Sequence, residues 1–331
     1  MGAVLVTGGA GYIGSHAVRA LREAGVAVVV LDSLVAGHIE AVEGVTFVQA
    51  EIADTAVVRE TIQRHGVTAV MHFAAFLSVG ESVSAPARYY ANNVGQTLQL
   101  LDAAVQEQVA HFVFSSTAAV YGMPLDTPIT EEHPTQPINA YGETKLAVER
   151  ALPHYERAYG LRSVRLRYFN AAGAHPSGAI GEDHRPEIHL IPRALDAATG
   201  TGDPLEIFGA DYPTDDGTCR RDYVHVSDLA DAHLLALRQL ESGSVSATYN
   251  LGNGRAYSVK EVVASVARVT GRAVDHTFAP RRPGDPAILL ASSERAREEL
   301  GWTPRFEQLD DIVRTAWVWH QAHPDGYQSR P

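Results

Sequence analysis

Tyr141 and Lys145, in the stretch "YGETK", lie four positions apart in a segment that reads as the start of a helix. Residues at this spacing share one face of a helix, so the phenol and the ammonium group would project together. A free tyrosine has a pKa of about 10, too high for a base at neutral pH, but a nearby cation lowers it. The pair could therefore take a proton from an alcohol. The same spacing also occurs on ordinary solvated helices, so it does not decide the function alone.

A glycine-rich turn near the N-terminus suggests a second kind of chemistry. Gly8, Gly11 and Gly14 in "TGGAGYIGSH" follow an apolar run and precede a helical pattern. Glycines allow the tight turn and the close approach of backbone to a pyrophosphate, and a helix N-terminus attracts its charge. The next apolar run ends in Asp32, placed to accept hydrogen bonds from ribose hydroxyls. Because a carboxylate repels a 2′-phosphate, the expected cofactor is NAD rather than NADP; a turn that binds nothing is the alternative.

Several apolar runs predict the sheet that would position these groups. They cover residues 4–7, 26–32, 45–50, 67–75 and 109–118. Continuous apolar runs are typical of parallel strands buried on both faces. Helical stretches between them predict right-handed βαβ units. The expected fold class is α/β, with a doubly wound parallel sheet and a smaller, interleaved C-terminal lobe.

The length of 331 residues predicts two unequal lobes, because a single core usually stops growing at about 250–300 residues. We expect residues 1–169 to bind the dinucleotide. From residue 170 the strand–helix alternation breaks and Pro, Gly and Asp become frequent, so residues 170–331 are assigned mainly to substrate binding. Residues 221–252, with "RDYVHV" and "TYNLGNG", are expected to return to the sheet.

The formal net charge of −12 at pH 7 argues against a nucleic acid or an anionic membrane as partner. Both of those partners bind basic surfaces. Paired arginines at 220–221 and 281–282 stand out in so acidic a chain. They could hold a small anionic ligand, or they could be solvated surface residues.

Composition also bears on location and on metals. No apolar run approaches the roughly 20 residues that span a bilayer, and the N-terminal residues lack the pattern of a signal peptide. Cys219 is the single cysteine, which excludes an internal disulfide or a cysteine-based metal cluster. A cytoplasmic protein is expected. The fifteen histidines show no His-x-x-x-His or Glu-x-x-His pair, so no metal is expected.

The Gly-x-x-Gly-x-x-Gly spacing, the stretch "FSSTAAVYG" (114–122) and the Tyr-x-x-x-Lys pair together resemble the extended short-chain dehydrogenase/reductase family. Stretches along most of the chain resemble the UDP-galactose 4-epimerases within it. They include "HFAAFLSVGESV", "YYANNVGQT", "LRYFNAAGAHPSG", "DYPTDDGTCRRDYVHV" and "APRRPGDPA". This resemblance implies a Rossmann-type sheet, bound NAD and a UDP-sugar substrate. It also implies a homodimer, with helices near 87–108 and 138–159 at the interface; helix faces packed on their own lobe are the alternative.

The resemblance implies a reaction in which hydride leaves C4 of a UDP-hexose for NAD and returns to the opposite face of the 4-keto sugar. In that scheme Tyr141 is the base and Thr117 relays a proton from the sugar hydroxyl. Lys145 and the positive nicotinamide lower the pKa of Tyr141. NAD is regenerated, so no net oxidation occurs.

The same resemblance implies the remaining site residues. The catalytic trio is Thr117, Tyr141 and Lys145. The expected cofactor contacts are Gly8, Gly11, Tyr12, Ile13, Gly14, Asp32, Glu51, Ile52, Phe73, Ala74, Ala75, Asn92, Ser115, Tyr141, Lys145 and Tyr168. The expected substrate contacts are Thr117, Asn170, His189, Leu190, Phe208, Arg221, Arg282 and Asp285.

Four residues depart from the family pattern. Leu77 replaces a lysine that contacts a phosphate, and Glu51 replaces an aspartate at the adenine pocket. His189 stands where an asparagine is frequent near the diphosphate. Thr117 replaces the commoner serine, which keeps the hydroxyl but restricts its χ1 rotation. Each group that the mechanism requires is present.

The sequence also bears on other activities. A nucleotide-sugar 4,6-dehydratase needs an Asp-Glu pair where this chain has Ala118 and Ala119, which cannot move protons. Leu289 aligns with a tyrosine that restricts the sugar pocket, so UDP-N-acetylhexosamines are a possible substrate. UDP-pentose and UDP-hexuronate epimerases remain open. A non-catalytic NAD-binding sensor is the remoter alternative, disfavoured because it would not need the catalytic trio.

Overall fold

The structure is a computed structural model in which residues 2–282 and 284–328 are described. Its central feature is a sheet of seven parallel strands in the order β10-β6-β5-β4-β1-β2-β3. The strands of the chain are β1 (Ala3–Thr7), β2 (Val28–Asp32), β3 (Thr46–Gln49), β4 (Val67–His72), β5 (His111–Thr117), β6 (Arg162–Tyr168), β7 (Asn170–Ala172), β8 (Leu205–Phe208), β9 (Arg220–His225), β10 (Ala247–Leu251), β11 (Ala256–Ser258), β12 (His276–Ala279) and β13 (Ile288–Leu289). The five strands predicted from apolar runs are all present, and the α/β fold class is confirmed.

Helices cover both faces of this sheet. They are α1 (Tyr12–Glu23), α2 (Thr55–His65), α3 (Val79–Ser84), α4 (Pro86–Tyr89), α5 (Thr97–Gln106), α6 (Ala140–Tyr159), α7 (Leu190–Thr199), α8 (Val226–Glu241), α9 (Val259–Thr270), α10 (Glu294–Leu300) and α11 (Leu309–Ala322). A π-helical segment, Tyr90–Gln96, joins α4 to α5, so the predicted helix near 87–108 is continuous. No helix in residues 2–282 and 284–328 has the length and apolar character needed to cross a membrane.

Local sequence explains where the important helix α6 begins and ends. Asn139 caps its N-terminus by accepting a hydrogen bond from the Gly142 amide at 2.9 Å. Gly160 ends it in a left-handed conformation, with φ of 77°, which glycine adopts without steric penalty. The predicted helix 138–159 is therefore confirmed to within two residues.

Two apolar cores lie on opposite faces of the seven-stranded sheet. One contains Val4, Val6 and α8 residues such as Leu229. The other contains Leu5 and residues of α2 and α5. Strand side chains alternate between faces, so adjacent residues of β1 contribute to different cores. A third core, built on α7, α9 and α11, belongs to the C-terminal part of the chain.

Residues 221–252 are divided between two sheets. Helix α8 packs on the sheet and β10 joins it beside β6. Strand β9, which contains "RDYVH", instead forms a second sheet with β7, β11 and β13. The buried Asp222 carboxylate explains this placement, since it accepts hydrogen bonds from the amides of Asn253, Gly254 and Ala291. Those partners lie in the second sheet region, and without them the carboxylate would be buried unpaired.

Candidate active site

A cavity of about 600 Å³ opens at the carboxyl ends of the central strands. It lies where the strand order reverses, with β1 between β2 and β4, the usual ligand position in open α/β sheets. Most predicted site residues line it: Gly8, Gly11, Tyr12, Ile13, Gly14, Asp32, Glu51, Ile52, Phe73, Ala74, Ala75, Asn92, Ser115, Thr117, Tyr141, Lys145, Tyr168, Asn170 and His189. Residues far apart in sequence therefore share one pocket.

The glycine turn forms a cradle that side chains would fill. Gly8 has a φ of +70°, and a Cβ added there would lie 2.4 Å from the Ala74 amide nitrogen. A Cβ added at Gly14 would lie 2.2 Å from the Gly8 carbonyl oxygen. No side chain caps α1 at Gly11, so its first amides remain available to a ligand in the cavity. These features fit a dinucleotide pyrophosphate.

The Asp32 carboxylate is held in place at the end of β2. It accepts hydrogen bonds from the Ala10 and Leu34 amides, each at 2.9 Å. Burial raises the pKa of Asp32 from its ordinary value, while the two amide hydrogen bonds oppose that rise. The side chain lines the cavity beside the glycine turn. A fixed acceptor there fits the ribose of NAD, and together with the cradle it shows that these residues suit the cofactor.

The predicted catalytic trio comes together on the other side of the cavity. Thr117 ends β5, and Tyr141 and Lys145 lie one turn apart in α6. The Ala119 amide donates to the Thr117 hydroxyl oxygen at 3.1 Å. The Lys145 Nζ donates to the Ser115 carbonyl at 2.9 Å. These contacts fix the hydroxyl and the ammonium against the end of the same strand.

The electrostatics of the trio depend on burial. Desolvation raises the pKa of Tyr141 to about 12, although its hydrogen bond with Thr117 acts in the opposite direction. Burial lowers the pKa of Lys145 to about 8, and the Glu149 carboxylate partly opposes this. In the protein alone, burial therefore outweighs any lowering of the Tyr141 pKa by Lys145. More positive charge in the cavity is needed to make the phenol a base near neutral pH.

A buried ionic network lies next to the catalytic trio, and the sequence did not predict it. Glu149 accepts hydrogen bonds from the Arg167 Nε, at 3.0 and 3.1 Å, and from the Ser116 hydroxyl. Arg167 also donates to the Tyr121 hydroxyl oxygen at 2.9 Å. The one available signal was that Glu149 follows Lys145 by four residues, the spacing of a shared helix face.

We expect Glu149→Gln to move the alkaline limb of the pH profile of kcat/KM to lower pH. Losing the carboxylate removes an interaction that favours the Lys145 ammonium, so that ammonium deprotonates at lower pH. A loss of about 1.4 kcal/mol of attraction corresponds to a shift of about one unit. Initial rates from about pH 6 to about pH 10 measure the effect.

Glu156→Gln is the matched control, because it removes the same charge from the same helix two turns further on. Its profile should match that of the unmodified protein. Superimposable profiles for Glu149→Gln and the unmodified protein would show that Glu149 does not tune Lys145.

Five of the predicted substrate contacts lie outside the described lining of this cavity. They form two pairs and one helix terminus in the C-terminal part of the chain. The Arg282 guanidinium lies 3.9 Å from the centre of the Phe208 ring. Arg221 pairs with Asp285 and also donates to the Pro286 carbonyl at 2.9 Å. Leu190 is the first residue of α7. Their role in substrate binding stays a prediction.

A group of four titratable residues at the edge of the cavity was also missed. Glu182, His184, Glu187 and His189 place one ligand atom each within 4.8 Å of one another. Burial opposes protonation, but the two carboxylates raise the pKa of His184 to about 9 and that of His189 to about 10. Each Glu precedes its His by two residues, a shorter spacing than that of a His-x-x-x-His or Glu-x-x-His pair. The sequence predicts His189 only as a contact to the substrate.

The chain is similar to known proteins over almost its whole length. Residues 4–252 match the model of the "NAD dependent epimerase/dehydratase family". A UDP-glucose 4-epimerase of Halalkalibacterium halodurans is 52% identical over 327 residues, which are 99% of this chain and 98% of that protein.

Solved structures are similar over the whole chain as well. UDP-glucose 4-epimerase from Brucella ovis, in complex with NAD, is 50% identical with a TM-score of 0.94; the match covers 96% of this chain and 98% of that one. The enzyme from Bifidobacterium longum, in complex with NAD+ and UDP, is 36% identical with a TM-score of 0.93, over 98% and 100% of the two chains.

Proposed function

This chain belongs to the NAD-dependent epimerase/dehydratase family, and we propose that it interconverts UDP-galactose and UDP-glucose by NAD-dependent epimerisation at C4 of the sugar. The observation that carries the proposal is the convergence of Thr117, Tyr141 and Lys145 on the cavity that also holds the glycine turn and Asp32. Proton-transfer groups and a dinucleotide cradle thus face one space. The protein is an enzyme of the isomerase class.

The proposed mechanism assigns one task to each member of the trio. Bound NAD supplies a hydride acceptor and donor for C4. Tyr141 takes the proton of the C4 hydroxyl and later returns it to the 4-keto sugar. Thr117, whose hydroxyl acts to lower the pKa of Tyr141, relays that proton and orients the sugar hydroxyl. The Lys145 ammonium adds positive charge that favours the phenolate.

Cofactor and substrate would occupy different parts of the chain. We assign NAD to residues 1–169 and the UDP-sugar mainly to residues 170–331. Arg221 and Arg282 would bind the diphosphate through charge-assisted hydrogen bonds, with Arg221 exchanging Asp285 for phosphate oxygens. Phe208, already stacked on Arg282, and Leu190 would pack against the nucleoside. Firm contacts to the nucleotide would hold the substrate while its sugar turns.

The identity of the sugar is supported by similarity and by one packing observation. Relatives at about 50% identity are UDP-glucose 4-epimerases, which favours glucose and galactose over N-acetylated sugars. Leu289 packs on a cluster that contains Ala118, next to Thr117. That contact supports the predicted position of Leu289 near the sugar, so N-acetylhexosamines remain the second substrate class to test.

A cytoplasmic homodimer remains part of the proposal. Its supporting observation is a set of exposed apolar side chains on and beside the predicted interface helices: Val83 67%, Tyr90 45%, Ile138 49% and Tyr159 65% exposed. A second copy of the chain would cover them.

The decisive assay mixes the purified protein with UDP-galactose, with no cofactor added. We expect UDP-glucose to form, and about one NAD per chain to be recovered after denaturation, because a cofactor regenerated in each turnover need not leave. Absence of UDP-glucose with NAD present in the protein would contradict the epimerase assignment. UDP-N-acetylglucosamine is offered in parallel, and undetectable turnover of it would exclude the second substrate class.

A further inference from the structure

The four residues Glu182, His184, Glu187 and His189, here the 182–189 cluster, lie in the segment between β7 and α7. This segment borders the NAD cavity, which Glu182, His184 and His189 help to line. The His184 ring lies edge-on to the Tyr12 ring of the glycine turn, with centroids 6.2 Å apart. The cluster therefore lies at the edge of the cavity beside the glycine turn, and the proposed mechanism assigns it no task.

The distances inside the 182–189 cluster are close to those between ligands of one metal ion. Glu182 Oε1 lies 3.2 Å from His184 Nδ1 and 2.7 Å from His189 Nδ1. Glu187 Oε2 lies 3.7 Å from His184 Nδ1, and Glu187 Oε1 lies 3.4 Å from His189 Nδ1. A tetrahedral ion with bonds of about 2.0–2.2 Å places its ligand atoms about 3.3–3.6 Å apart. Three of the four distances lie in that range or within about 0.1 Å of it, and the fourth, from Glu182 to His189, is shorter.

The inward atoms are buried, and their nearest charged neighbours belong to the cluster itself. Glu182 Oε1, His184 Nδ1 and His189 Nδ1 are inaccessible to solvent and make no hydrogen bond among the residues that the structure describes. The Glu182 side chain is only 6% exposed. Although 2.7 Å separates its oxygen from His189 Nδ1, the pair lacks the alignment of a hydrogen bond. Atoms that face one another closely without donor–acceptor alignment are arranged as ligands around a common centre.

Part of the cluster is held in that arrangement by the backbone. Glu187 Oε1 accepts hydrogen bonds from the Ile188 amide at 2.7 Å and from the His189 amide at 2.8 Å. Hydrogen bonds of this kind orient a ligating carboxylate. Asp183, between two cluster residues, faces away and accepts hydrogen bonds from Arg185 and the Tyr327 amide. The alternation along the chain thus separates ligands from structural contacts.

We propose that the 182–189 cluster binds one divalent transition-metal ion, with Zn²⁺ the best match. Two imidazole nitrogens and two carboxylate oxygens suit Zn²⁺ in four-coordinate geometry, whereas Mg²⁺ and Ca²⁺ prefer oxygen ligands alone. Two carboxylates also balance the double positive charge, so no net charge is buried. Four protein ligands leave no open coordination position. The ion is therefore structural, and it fixes the segment before α7 and the His184 ring beside Tyr12.

The test measures metal rather than turnover. The protein is stripped with a chelator, equilibrated with Zn²⁺, desalted and analysed for zinc by mass spectrometry. We expect about one Zn²⁺ per chain. Loss of a group that merely orients a ligand costs 10- to 100-fold in affinity, so Glu182→Gln and His189→Ala should weaken binding by more than about a hundredfold. His154→Ala, which removes an exposed histidine on α6, should bind zinc like the unmodified protein.

The absorption spectrum of bound Co²⁺ is a second measurement, and it does not depend on how stable the variants are. Co²⁺ added to the stripped protein should produce the intense visible absorption of a tetrahedral site, and Zn²⁺ should displace it. Glu182→Gln keeps the size of the side chain, so a folded variant without this spectrum supports the proposal. The proposal is overturned if the unmodified protein retains no more zinc than His189→Ala, or if the cobalt spectrum indicates an octahedral, solvent-bound ion. Neither outcome depends on the epimerase assay.

Discussion

Tyr141→Phe is expected to lower kcat by about 100- to 10,000-fold, the range that general acid–base groups contribute. The substitution removes only the hydroxyl that exchanges a proton with the sugar. Thr117 is expected to be a poor substitute, because its hydroxyl is not acidified by a nearby cation. Burial raises the pKa of Tyr141 to about 12 in the protein alone. The phenol therefore depends on the positive charge of bound NAD to lower its pKa and act as a base. Conversion of UDP-galactose to UDP-glucose measures the change.

Tyr155→Phe is the matched control for this experiment. Tyr155 lies on the same helix, and its hydroxyl donates to Asp102 at 2.6 Å, away from the residues that line the cavity. The control should keep its activity, and both variants should retain NAD. A Tyr141→Phe protein as active as this control would refute the assigned base.

Arg167→Met is expected to reduce the free energy of unfolding by about 3–5 kcal/mol, the cost of removing one partner of a buried ion pair. The side chains of Arg167 and Glu149 are only 9% and 4% exposed, and two hydrogen bonds join the Arg167 Nε to the carboxylate. Methionine would leave the Glu149 charge buried with the Ser116 hydroxyl as its remaining partner in the network. Urea unfolding followed by circular dichroism measures the difference.

Two further variants separate the ion pair from simple loss of a long side chain. Arg165→Met, on the same strand, removes an arginine that donates to the Ala247 carbonyl, and it should cost much less. Glu149→Leu combined with Arg167→Met removes both charges and should recover part of the loss. If Arg167→Met is no less stable than Arg165→Met, the network contributes little and the large expected effect is wrong.

The network also connects stability with chemistry. Glu149 contacts Ser116, the residue before Thr117, and its charge acts on Lys145. The Glu149 carboxylate therefore has two effects. It holds the strand that carries the Thr117 hydroxyl, and it stabilises the positive charge of Lys145. Glu149 is a positioning residue rather than a catalytic one, because it acts through these neighbours.

The sequence alone determined those parts of the protein that short stretches encode. The glycine turn was predictable because glycines stand where the backbone passes close to other backbone atoms. A Cβ at Gly8 or Gly14 would collide with those atoms. Tyr141 and Lys145 were predictable because one helical turn fixes their relation. The parallel sheet followed from apolar runs of the length and composition of buried strands. The family resemblance then supplied the cofactor and the reaction.

Tertiary structure alone decided which distant residues meet. The placement of β9 in the second sheet depends on three amides that Asp222 binds, up to 69 residues away. The Glu149–Arg167 pair joins a helix to a neighbouring strand. The 182–189 cluster forms because an irregular segment folds two Glu and two His side chains toward one point, and no single helix or strand carries all four. Local pattern fixes only neighbours along one element, whereas these contacts depend on how separate segments pack.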